Sequence, residues 1–373
     1  MERETVVSAS LLRRLRSTVG RVSEKVPNDH VTEQAVTLSE GRTWILVEQW
    51  GEIVVLVLLI VFFQAVRPAF LTTSNLDGIS QSVVVLYLVS LGVMMSVSVG
   101  GFDLSVGSIV SLSSVLSAGM MVLYQWPVWV AIALPIAIGA GVGVINGLVI
   151  VRFGVLDIVA TLGMMFVISG VQETYSGGEN IYPKMVLATG TPARGTISHF
   201  LTTLGSSQIG PVPITLIIIV AFGALMLYLM DWTRWGRYFY AVGDNRDAAA
   251  VAGIPVGLVR VLAYTISGAL AAAGGVLLTG ILDSGNTDVG SPYLLQAVTT
   301  VFLGVTVFGR ARANVFGTFI GCAFLGIMLD GLTLVNMPYT SQQIFEGGLL
   351  LVAVVVGVLA GRRREGSGAR ALD

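Results

Sequence analysis

From about residue 46 onward the chain is a succession of apolar segments, each near the length of one membrane crossing and separated by short polar turns. A helix needs about 20 such residues to cross the hydrocarbon core, because in lipid every backbone polar group must be satisfied within the segment. About ten spans are read, near 46–66, 79–99, 105–123, 129–151, 156–172, 212–230, 258–281, 293–308, 314–332 and 343–360. Only 12% of the residues are charged, against about 25% in a soluble domain. That is too little charge to coat a water-facing globule. The expected fold class is therefore all-α, a polytopic transmembrane helix bundle.

Three regions follow: a cytoplasmic amino-terminal tail over 1–45, a transmembrane domain over 46–360 and a cytoplasmic carboxy-terminal tail over 361–373. Orientation comes from lysine and arginine, which concentrate on the cytoplasmic side. With ten spans and both termini inside, 18 of the 21 basic residues face the cytoplasm, and only Arg67, Lys184 and Arg194 fall outside. Losing one span would put Arg362, Arg363 and Arg364 on the wrong side. Tyr124, Trp126 and Trp129 then mark the outer interface, and Trp232 and Trp235 the inner one. The tail has no apolar stretch of the kind a cleaved signal peptide requires. Its residues 6–22 are weakly amphipathic.

Much chemistry is excluded. The net charge is −1, with no basic stripe to neutralise phosphates, so nucleic acid is not an expected partner. No G-x-x-x-x-G-K-[ST] loop occurs, so the chain has no P-loop for ATP. The only histidines, His30 and His199, lie outside the spans, which removes an intramembrane metal site or a Ser–His dyad. Cys322 is the single cysteine. No catalytic residue, metal site or cofactor is expected in this chain.

Small residues recur at helical spacing. Gly139, Gly143 and Gly147 share one face of the fourth span, and Gly317 and Gly321 repeat the interval in the ninth. Close packing through small residues is the usual means of joining helices in lipid.

Two segments carry more specific signals. Gly100-Gly101-Phe102-Asp103-Leu104-Ser105-Val106-Gly107-Ser108 lies between the second and third spans. Asp103 suits a cap for the helix that follows. A carboxylate near membrane depth also fits a transport pathway. The second segment, Gly236 to Pro255, lies on the cytoplasmic side between the sixth and seventh spans. Asn245 is a good cap, Asp247 suits the positive end of the helix dipole, Ala248 to Ala252 favour helix, and Gly253 and Pro255 stop it. The result is a short helix with a smooth face, suited to docking in a groove of a partner.

These two segments, in their order and spacing, resemble the permease subunits of bacterial ABC importers for monosaccharides, the ribose-type family. The likeness runs from about Phe70 to Val356. It takes in Gly101 to Ser108, Ile158-Val-Ala-Thr-Leu-Gly163, Gly236 to Ile254, and Val301 to Gly317. Asp330 stands where sugar permeases often have asparagine, Arg310-Ala311-Arg312 replaces a more glycine-rich turn, and Asp157 replaces a neutral residue. The resemblance implies two half-bundles in inverted relation, with Asp288-Val-Gly-Ser as the counterpart of Asp103-Leu-Ser-Val-Gly-Ser. It implies import of a ribose- or xylose-like sugar by alternating access, in the plasma (inner) membrane. The implied partners are a cytoplasmic ATPase that binds the ATP, an extracytoplasmic sugar-binding protein, a second permease chain and membrane lipid. The ATPase-coupling loop would use Arg237, Asp244, Asn245, Asp247, Ala248, Ala249, Gly253 and Ile254. Gly101, Asp103, Ser105, Gly107, Asn146 and Asp330 are structural or pathway candidates. The competing reading is a secondary, ion-coupled transporter, which would use intramembrane carboxylates such as Asp103, Asp283, Asp330 and Glu346.

Overall fold

The computed structural model describes residues 51, 53–187, 189–306 and 312–370, with side chains as far as Val355. The amino-terminal tail, Arg310, Ala311 and residues 371–373 lie outside the described residues. The first helix is α1 (Ile53–Val66). After it come α2 (Thr73–Ser98), α3 (Val106–Val122), α4 (Val128–Phe153) and α5 (Asp157–Ser176). A short α6 (His199–Ser206) and a two-residue hairpin, β1 (Gln208–Ile209) with β2 (Val212–Pro213), lead into α7 (Ile214–Leu227). One π turn prolongs α7 to Trp232. Then come α8 (Arg234–Asp244), α9 (Arg246–Val251), α10 (Val256–Leu282), α11 (Ser291–Thr306), α12 (Val315–Leu334) and α13 (Tyr339–Arg370).

Each of the ten apolar segments of the sequence contains one helix. Six helices are long and apolar enough to cross a membrane: α2, α4, α5, α7 with its π turn, α10 and α12. The shorter apolar helices are α1, α3 and α11. The hairpin pairs Gln208 with Pro213 and Ile209 with Val212, and the architecture is the all-α helical bundle expected. α13 continues past residue 360 to Arg370, so no break in secondary structure separates the bundle from the tail region.

Helix ends follow local chemistry. Gly154 (φ 68°) and Gly177 (φ 67°) end α4 and α5 in the left-handed region that glycine enters at little cost. Asp157 opens α5 and Arg152 closes α4, each complementing the local end of the helix dipole.

Packing separates an inner group from an outer one. α3 is buried along nearly its whole length, α2 from Val83 onward and α10 over most of its length. α4, α5 and α7 bury one narrow stripe each and leave large apolar residues such as Leu148, Phe166 and Val220 exposed. Exposed apolar surface of this kind matches a lipid surrounding. The glycine spacing has the expected consequence. A Cβ on Gly143 would overlap the Tyr264 carbonyl, one on Gly147 would lie 2.7 Å from the Val261 Cα, and one on Gly268 would overlap the Gly139 carbonyl. α4 and α10 therefore meet backbone to backbone. Gly317 and Gly321 of α12 meet Gly304 and Thr300 of α11 in the same way.

Candidate functional site

The turn over 100–105 interrupts the path between α2 and α3, and polar groups converge on it from four other helices. Gly100 has φ 67°. Gly101 leaves no space for a side chain: a Cβ there would lie 2.5 Å from Asp157 Oδ2 and overlap the Tyr264 hydroxyl. The Phe102 N–H donates to the Tyr264 hydroxyl at 3.2 Å, and that hydroxyl donates to Asp157 Oδ2 at 2.6 Å. Thr161 Oγ1 donates to the Asp157 carbonyl at 2.8 Å and reaches the Phe102 carbonyl at 3.3 Å. Arg260, near the start of α10, holds Asp157 through Nη2 at 2.7 and 2.9 Å. The Phe102 ring stacks on Phe302 of α11, centroids 6.0 Å apart.

Asp103 is fully buried. Its Oδ1 accepts from the Ser105 N–H at 3.0 Å and from Ser105 Oγ at 2.6 Å, and its Oδ2 accepts from Ser267 Oγ of α10 at 2.8 Å. The cap foreseen for α3 thus takes another form. The carboxylate closes an Asx turn on the residue before the helix and spends its second oxygen on a distant one. Asn146 of α4 donates from Nδ2 to Ser105 Oγ at 2.9 Å, which joins Asp103, Ser105 and Asn146 in one buried network. Gly107 completes the group from the first turn of α3. It lies against Gly290, whose N–H donates to Ser111 Oγ at 2.8 Å. Asp330 belongs elsewhere. It accepts from Asn75 Nδ2 at 2.7 Å, at the opposite end of α2. Among the other carboxylates, Glu346 is buried and accepts from Gln296 Nε2 at 2.8 Å.

The second sequence segment forms two helices rather than one. α8 is amphipathic, with Phe239 and Val242 buried, and is capped by Thr233 Oγ1, which accepts from the Trp235 and Gly236 N–H groups. Its signal was a threonine followed by apolar residues at helical spacing. Arg237 donates from Nη1 to the Thr233 carbonyl at 3.4 Å. In α9, Asn245 Oδ1 accepts from the Ala248 N–H at 2.9 Å. Gly253 has φ 80°, and the Gly253 and Ile254 N–H groups return to the Ala250 and Ala249 carbonyls at 3.0 Å each. The helix is therefore closed at both ends, by the residues expected.

Its outward face differs in one place. Ala249 points into the apolar core and is 4% exposed, because a short helix lying on a surface must turn one side toward it. Asp247, Ala248, Ala250 and Ala252 remain exposed, and they share the outer side with Val251, which is 90% exposed. Asp244 pairs with Arg312 at 2.6 Å, both half-exposed, and the Arg312 guanidinium also lies over the Tyr240 ring. A pair this open to solvent contributes little stability. It does tie the α8–α9 corner to the connection before α12.

The two sequence segments, 146 residues apart along the chain, touch. Arg246 Nη2 donates to the Gly100 carbonyl at 2.8 Å, and a Cβ on Gly243 would overlap the Ser98 carbonyl. Arg246, Asp157, Arg260, Tyr264 and Ser267 were not among the residues singled out for this site from sequence. Among the described residues no cluster of three or more metal-ligating side chains occurs.

The ribose import permease of Escherichia coli (strain K12) is 29% identical over 320 residues, covering 84% of this chain and 94% of that protein. The ribose import permease of Bacillus subtilis (strain 168) is 33% identical over 311 residues, with 83% and 93% covered. The galactose/methyl galactoside import permease of Escherichia coli (strain K12) is 30% identical over 325 residues, with 84% and 94% covered. No solved structure matches. Residues 75–354, which hold both segments, match the family described as branched-chain amino acid transport system, permease component; the chain belongs to that family and is a transport protein, not an enzyme.

Proposed function

We propose that this chain is the membrane-spanning subunit of an importer that takes up a monosaccharide of the ribose or xylose kind, driven by a separate ATP-hydrolysing subunit. The observation that carries the reading is the match over 93–94% of the length of import permeases for ribose and galactose. ATP binds to the partner, and the chain itself needs no cofactor. The partner docks on α9, whose exposed Asp247, Ala248, Val251 and Ala252 allow close approach. Asn245 and Gly253 keep that surface in shape, and Arg237, Asp244 and Ile254 flank it.

The chain crosses the membrane ten times with both termini in the cytoplasm, a second permease chain completes the pore, and a sugar-binding protein delivers cargo to the outer face. The halves are in inverted relation. In support, α3 begins within Asp103-Leu-Ser-Val-Gly-Ser, α11 begins within Asp288-Val-Gly-Ser, and Gly107 of the first string rests on Gly290 of the second. In transporters built from inverted repeats, alternating access is largely a rocking of one repeat against the other about a site at their interface.

The test is uptake of radiolabelled ribose, xylose and galactose into membrane vesicles that contain the chain, its ATPase and its binding protein. Uptake of one sugar is expected to require ATP on the cytoplasmic side and to survive collapse of the proton and sodium gradients. Uptake that follows an ion gradient without ATP would establish the ion-coupled alternative instead.

A further inference from the structure

The 100–105 turn is held from two directions. From the cytoplasmic segment come Arg246, at 2.8 Å from the Gly100 carbonyl, and Gly243, in backbone contact with Ser98. From the bundle come Tyr264 at the Phe102 N–H and Ser267 at Asp103. Asn146 holds Ser105 in turn. Little in this turn is free to yield. Gly101 is wedged against Tyr264 and Asp157, and Asp103 has both oxygens committed. A close-packed, fully bonded segment passes a displacement on, since interiors of this density have low compressibility. Beyond the turn, α3 carries Gly107 onto Gly290, the residue before α11.

We propose that Arg246 of α9 and Gly243 of α8 are positioning residues for transport: they lock the α8–α9 corner to the end of α2 and the 100–105 turn, so that movement of α9 is delivered to the starts of α3 and α11. The proposal rests on the docking of an ATPase at α9. The Arg246 guanidinium reaches back to the bundle and bonds the turn, whereas Asp247, Ala248 and Val251 stay exposed for the partner. Arg246→Ala therefore cuts the link and leaves those docking residues in place. Tyr264→Phe loosens the same turn from within α10, at a side chain fully buried in the bundle, by removing the group that accepts from the Phe102 N–H.

The experiment reconstitutes the assembled complex in vesicles with its ATPase and binding protein. It measures ATPase co-purification, ATP hydrolysis and radiolabelled ribose and galactose uptake for wild type, Arg246→Ala, Arg246→Lys and Tyr264→Phe. Arg246→Ala and Tyr264→Phe are expected to retain the ATPase and to hydrolyse ATP, while sugar imported per ATP falls about tenfold. Arg246→Lys keeps one donor and is expected to recover part of the loss. An unchanged ratio of sugar to ATP in assembled Arg246→Ala and Tyr264→Phe complexes overturns the proposal. Loss of the ATPase from Arg246→Ala also overturns it, by making Arg246 a docking residue. Failure of the underlying reading looks different: the ATPase would then bind normally to a Gly253→Arg chain.

Discussion

Removing the Asp103 carboxylate takes three accepted hydrogen bonds out of a site sealed from solvent and strands the Ser267 hydroxyl. Buried polar groups left without partners cost about 1–3 kcal/mol each. Asp103→Ala is therefore expected to lower the amount of folded protein more than the transport rate per molecule. Quantifying detergent-extracted chain beside uptake per chain checks this, and normal abundance with no transport would make Asp103 a pathway residue. That Asp103 organises the start of α3 was legible, because Asp before a helix is a local signal. Its bond to Ser267, 164 residues away, was not. Nothing local marks one serine among many as the partner, and the same holds for Tyr264 and Arg260.

At the scale of elements, α9 was readable because its instructions are contiguous: Asn245, a run of alanines, then Gly253 and Pro255. α8 went unread as a helix because its cap, Thr233, stands directly after an apolar span and its pattern looks like a continuation. Gly253 accounts for a second prediction. A Cβ there meets nothing within 4 Å of the isolated chain, but φ is 80°. A residue other than glycine pays about 1–2 kcal/mol in that region, and an arginine adds bulk beside the docking face. Gly253→Arg is expected to leave the bundle folded and to abolish ATPase co-purification and uptake together. Retained assembly with full uptake would mean that the energy enters the chain elsewhere.

For the molecule as a whole, the run of apolar segments gave away the bundle, and the four-residue glycine intervals marked the packing faces of α4 and α12, though not their partners α10 and α11. Sequence distance hid the convergence on the 100–105 turn, which assembles from α4, α5, α9, α10 and α11. The proposed ten-span topology makes its own prediction. In a chain with Cys322 replaced by alanine, a single cysteine at Ser367 is expected to react only with reagents that reach the cytoplasm. Labelling by an impermeant reagent from outside would reverse the assignment of the carboxy terminus.

The ion pair between Asp157 and Arg260 sets a condition on how the protein is made. Its partners are 103 residues apart, and a ribosome adds about 5–20 residues per second. For some 5–20 s the first turn of α5 carries a carboxylate whose partner has not been synthesised. α5 is also the least apolar of the six long helices, so it is poorly equipped to settle in lipid alone. A chain that stalls before α10 keeps that uncompensated charge. Only when α10 has been made can Arg260 and Tyr264 close on that carboxylate, so the hold of α10 on the start of α5 is a late step in building the bundle.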